Sequence, residues 1–138
     1  MNEHTIYLGG GCFWGLQGYI KKIEGVLSTE VGYANGPTEN PSYEDVCHNS
    51  GHVEALKVTY DADTLSLDHL IQYFLRAIDP FSVNKQGGDV GIQYRTGIYY
   101  TDTADKSIIE STLARAQAFE GKPFAIEVLP LENYYSAE

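Results

Sequence analysis

The period of the apolar residues changes repeatedly along this chain, and the order of the changes restricts the folds open to it. TIYL, Thr5 to Leu8, alternates as a short strand and runs into three glycines. From Cys12 to Ile23 the spacing of CFWGLQGYIKKI is helical, with Lys21 and Lys22 in the last turn and Gly25 just beyond as a stop. VLSTEVGY, Val26 to Tyr33, and VEALKVTY, Val53 to Tyr60, read as strands flanking a long polar loop, residues 34 to 51. Ser66 caps a helix, LDHLIQYFLRAI, that ends before Asp79-Pro80. A second loop, PFSVNKQGGDVGIQ, precedes the strand YRTGIYYT. Asp102 or Thr103 then caps a helix to about Phe119, closed by Gly121 and Pro123, and FAIEVLP is the last strand. The order β-α-β-β-α-β-α-β contains the split βαβ unit. It predicts an α+β fold, a ferredoxin-like two-layer sandwich with helices packed on a mixed, mainly antiparallel sheet.

A chain of 138 residues, 43% of them hydrophobic, has material for one core, so residues 1–138 are expected to form a single catalytic domain. Nine basic residues against 19 acidic ones leave a net charge of −10. Such a surface repels phosphate backbones and anionic lipid, so neither nucleic acid nor a membrane is an expected partner. No stretch approaches the roughly 20 apolar residues of a membrane span. MNEHTIYLGGG lacks the basic and apolar regions of a signal peptide. Two cysteines do not make a disulfide scaffold, and a reducing, cytoplasmic setting is expected.

Within that frame GGGCFWG, residues 9 to 15, is out of place: a cysteine and two bulky aromatics stand where a turn residue belongs. At a strand-to-helix turn, unpaired N–H groups and the helix dipole favour a thiolate at Cys12, although an inert buried thiol is the commoner fate of a cysteine. Phe13 and Trp14 have faces suited to a methyl or thioether group, although Phe13 equally suits a core anchor for the first helix. A dinucleotide fingerprint fails because Trp14 occupies the third glycine position, and a phosphate loop lacks its GK[ST]. GHVE sets His52 and Glu54 two residues apart, on one face of an extended segment. A carboxyl in an apolar pocket can stay protonated and act as a general acid, and Glu54 equally suits a solvated strand position. Tyr43 in NPSY and Tyr94 in GIQYR could each donate to an oxygen that gains charge, and Asp89 lies in the same second loop. Cys47, His48 and His52 lack a fourth ligand and any CxxC spacing, so no metal is expected.

Taken together, GGGCFWG (9–15), GVLSTEVGYANG (25–36), NPSYEDVC (40–47), GHVEALKVTYD (51–61), GDVGIQYRTGIYYT (88–101) and PLENYYSAE (130–138) resemble the A-type peptide methionine sulfoxide reductases. The likeness covers nearly the whole chain. It implies reduction of free or protein-bound methionine S-sulfoxide, a repair reaction of oxidative stress, without metal or organic cofactor. It further implies that Cys12 attacks the sulfoxide sulfur and that Phe13 and Trp14 hold the methyl group. By the same likeness Glu54 protonates the oxygen, Tyr43 and Tyr94 bind it, Asp89 supports their network and His52 orients. Methionine and a Cys12 sulfenic acid result. Many relatives continue past the final AE with a tail of resolving cysteines, whereas this sequence stops at Glu138. Cys47 is the possible internal resolving thiol and also reads as an incidental one. Regeneration is therefore expected from an external reductant: thioredoxin, glutaredoxin or a small thiol.

Overall fold

The computed structural model describes residues 2–11, 13–35, 52–81, 85–86, 89–90 and 94–137, the side chains of 85–86 and 89–90 excepted. In chain order the elements are β1 (Glu3–Gly9), α1 (Phe13–Ile20), β2 (Val26–Ala34), β3 (Val53–Asp61), α2 (Leu67–Ala77) and β4 (Lys85–Gln86). They continue as β5 (Asp89–Val90), β6 (Gly97–Tyr100), α3 (Thr103–Glu120), β7 (Glu127–Pro130) and β8 (Tyr134–Ser136).

Local chemistry sets the helix ends. Ser66 Oγ accepts from the His69 N–H at 3.1 Å, and Asp102 Oδ1 accepts from the Ala104 N–H at 2.9 Å, so Asp102 is the cap of α3. Gly121 closes α3 in the left-handed conformation, φ 80°. α1 is shorter than its spacing predicts. Gly15 and Gly18 weaken it, and after Ile20 the bonds tighten, with Lys22 and Ile23 N–H groups reaching back only three residues. Lys21 and Lys22 therefore lie in the turn beyond the helix.

A six-stranded mixed sheet runs β7-β6-β1-β3-β2-β8, and β4 and β5 form a separate pair. β1 pairs antiparallel with β3 and β6, β2 antiparallel with β3 and β8, and β6 parallel with β7. β1 and β2 thus flank β3, with α1 as their connection. The larger core joins Ile6, Leu8, Val31, Leu56, Val58 and Ile98 of the sheet to Phe13, Leu16 and Ile20 of α1. Leu70, Ile71 and Phe74 of α2 and Ile109 and Leu113 of α3 complete it, so the three described helices share one core with the sheet. A smaller cluster of Tyr7, Val53 and Tyr99 packs with Leu131 and Tyr134.

Two differences from the sequence expectations bear on the site. The strand expected from Tyr94 starts only at Gly97, and residues 94–96 lie outside it. β8 was not expected at all. It is held to β2 with the help of Asn35 (φ 50°), which binds the Pro130 carbonyl and the Glu132 N–H through its side chain and the Asn133 carbonyl through its own N–H.

Candidate active site

β1 leaves the sheet at Gly9, which pairs with Ala55 on one side and Gly97 on the other. Packing dictates the first two glycines of the stretch. A Cβ at Gly9 would lie 2.7 Å from Val53 Cγ1, and one at Gly10 would lie 2.6 Å from Ile78 Cγ2. Gly11 is required conformationally, since its φ of 75° is in the left-handed region. The turn then delivers the chain into α1 at Phe13. Cys12 lies outside the described residues, while Gly11 and Phe13 on either side of it are placed.

Both of those neighbours are tied to residues singled out in the sequence. The Gly11 N–H donates to the Tyr94 carbonyl at 3.3 Å. The Phe13 N–H donates to Oε1 of Glu54, also at 3.3 Å. Position 12 is therefore bracketed by one bond to the Tyr94 segment and another to the Glu54 carboxyl. Because Glu54 is the second residue of β3, its side chain shares the period-two face of Leu56 and Val58, and it is only 1% exposed. Exclusion from water makes an ionised carboxylate costly there, and the amide donor of Phe13 offsets part of that cost.

The aromatic pair divides its labour. Phe13, 2% exposed, packs on Tyr33 at 5.6 Å and belongs to the main core. Trp14 meets Phe13 edge-on at 5.3 Å and is 55% exposed, so it carries the open aromatic surface beside position 12. His52 is fully buried, with its ring 6.2 Å from that of Tyr135. Tyr94 is partly buried. Asp89 is placed only as backbone, in β5 opposite Gln86. Tyr43 and Cys47 lie outside the described residues.

The structure adds neighbours that the sequence did not single out. Tyr33 stands opposite Glu54, and Tyr135 opposite Tyr33. Alternation marked Tyr33 as a strand residue, but its partners belong to non-local pairings that no short window contains. No group of three or more His, Cys, Asp or Glu residues that could hold a metal occurs among the described residues. Nor is any described helix long and apolar enough to cross a membrane.

Comparison with known proteins addresses the whole chain. A family model described as peptide methionine sulfoxide reductase matches residues 4–138. The chain is similar to peptide methionine sulfoxide reductase MsrA of Lachnoclostridium phytofermentans, 56% identical over 139 residues that cover 100% of this chain and 83% of the relative. Among solved structures it is similar to reduced Mxr1 from Saccharomyces cerevisiae, with a TM-score of 0.92, 34% identity, and coverage of 99% of this chain and 81% of that one. The same yeast protein in complex with Trx2 matches with a TM-score of 0.75 and 27% identity, over 99% of this chain and 82% of that one.

Proposed function

The chain belongs to the peptide methionine sulfoxide reductase family, whose oxidoreductase activity it shares, and we propose that Cys12 is its nucleophile and Glu54 its general acid. The Cys12 thiolate attacks the sulfoxide sulfur while Glu54 gives a proton to the oxygen, which is a poor leaving group until protonated. The hydroxyls of Tyr43 and Tyr94 donate to the same oxygen as it gains charge, and Asp89 supports that network. Trp14, backed by Phe13, receives the methyl group, and His52 orients the Glu54 end of β3. The oxygen finishes on Cys12 as a sulfenic acid and the substrate sulfur as a thioether, a balanced two-electron exchange. The substrate is the S epimer of methionine sulfoxide, free or protein-bound.

One observation carries this reading: the residues on either side of position 12 are hydrogen-bonded, Phe13 to Glu54 and Gly11 to the Tyr94 segment. We assign regeneration of Cys12 to an external thiol of the thioredoxin type, on the strength of the yeast neighbour solved with Trx2. Glutaredoxin or a small thiol would serve the same step, and Cys47 is the internal thiol that could compete with them. Thiol chemistry that needs continual reduction fits a cytoplasmic setting. We read the strand order β6-β1-β3-β2, with β3 enclosed by β1-α1-β2, as a ferredoxin-like two-layer sandwich.

Glu54→Gln tests the acid assignment. Single-turnover reduction of a methionine S-sulfoxide peptide should slow about 100-fold and lose the pH dependence that a titrating acid imposes. The R epimer should remain unreduced throughout. An unchanged rate and pH profile in Glu54→Gln would remove Glu54 from the chemistry.

A further inference from the structure

From the far edge of the sheet, Glu127 grips the segment carrying Tyr94. Arg95, next to Tyr94, donates from Nε to Oε2 of Glu127 at 3.2 Å. The Tyr99 hydroxyl donates to the same oxygen at 2.8 Å. The Glu127 N–H donates to the Thr96 carbonyl at 3.0 Å. Glu127, the first residue of β7, therefore holds residues 95, 96 and 99 at once. Tyr99 is fully buried and remains a donor, because burial first and the Glu127 charge second push its ionisation well up.

The Arg95 and Glu127 side chains are 17% and 38% exposed, so the pair is partly buried and stabilises the fold as well as holding this segment. The parallel pairing of β6 with β7 already joins the two strands through the backbone. What the grip does fix is the path of the chain just before β6. The Arg95 carbonyl lies against Gly9, 3.4 Å from where a Cβ would stand, and the Tyr94 carbonyl takes the Gly11 N–H.

We propose that Glu127 is a positioning residue for the reduction: acting through Arg95 and Tyr99, it sets where Tyr94 stands relative to the turn that carries Cys12. The proposal rests on the role of Tyr94 given above. A donor to the sulfoxide oxygen must be held within about 0.5 Å of its productive place, and Glu127 supplies that hold from outside the site. Glu127 itself touches no reacting atom.

A double-mutant cycle tests the idea. Single-turnover reduction of a methionine S-sulfoxide peptide is measured for the wild type, Glu127→Ala, Tyr94→Phe and the double variant. Glu127→Ala should lower the saturating rate about tenfold with KM changed less than about twofold. In the Tyr94→Phe background the same substitution should change the rate less than about twofold, since the group it positions is gone. Tyr99→Phe leaves the charge and the backbone bond in place and should lower the rate about threefold, again only when Tyr94 is present. It also decides the matter should Glu127→Ala not fold. Equal losses in both backgrounds, or a wild-type rate in both the Glu127 and Tyr99 variants, would overturn the proposal. A wild-type rate in Tyr94→Phe alone would instead overturn the role given to Tyr94, and the positioning proposal with it.

Discussion

Gly10 and Gly15 belong to one glycine-rich stretch and answer to different demands. A methyl group on Gly10 would press into Ile78 Cγ2 at 2.6 Å, with Phe74 Cε1 behind it at 3.4 Å. Gly10→Ala is expected to destabilise the fold by about 1–3 kcal/mol through overpacking. At Gly15, inside α1, nothing lies within 4 Å of the added carbon. Gly15→Ala is expected to stabilise by about 0.5–1 kcal/mol, because only backbone entropy changes. Urea denaturation of the two variants reads both signs. The sequence marked this stretch as unusual but could not sort its glycines, since Ile78 and Val53 reach them from distant parts of the chain. It left Phe13 open between core anchor and substrate contact, and the structure puts Phe13 in the core and Trp14 at the surface.

Among the elements, α2 and α3 are joined by a polar clamp. Asp68 Oδ1 accepts from Thr112 Oγ1 at 2.5 Å and from the Arg115 guanidinium, and Gln72 donates to Oδ2 at 2.9 Å. The Thr112 hydrogen bond, then the Arg115 charge, hold the Asp68 carboxyl below its ordinary range. A carboxyl depressed in the folded state contributes stability that is fully present above its unfolded value and fades as pH falls through the folded one. Asp68→Asn is therefore expected to cost about 0.5–1 kcal/mol at pH 7 and progressively less as pH falls through and below the ordinary carboxylate range, as measured by urea melts across it. A cost that stayed constant with pH would remove ionisation from the explanation. Most elements were legible because each carried its own signal: Ser66 and Asp102 as caps, Gly121 as a stop, and period-two runs for β1, β2 and β3. β8, three residues long, and the two-residue strands β4 and β5 were not. They exist through their partners, and too few residues alternate in them to show a period.

At the scale of the molecule, the sheet order does what no segment does alone. It brings the end of β1, the start of β3 and the approach to β6 to one place, so that Gly11 meets Tyr94 and Phe13 meets Glu54. In the sequence Glu54 suited a solvated strand position equally well, and its exposure of only 1% removes that reading. The support behind Tyr94, from Glu127, was invisible in the sequence because FAIEVLP reads only as a strand. Cys12 is the centre of the proposed chemistry. Mixing the protein with an equimolar methionine S-sulfoxide peptide, with no reductant present, and following both by mass spectrometry tests it most directly. The prediction is a burst of about one methionine peptide per chain with a single oxygen appearing on Cys12, trapped as a sulfenic acid adduct, and no burst in Cys12→Ser. A full burst in Cys12→Ser, or methionine formed while Cys12 stays unmodified, would contradict it.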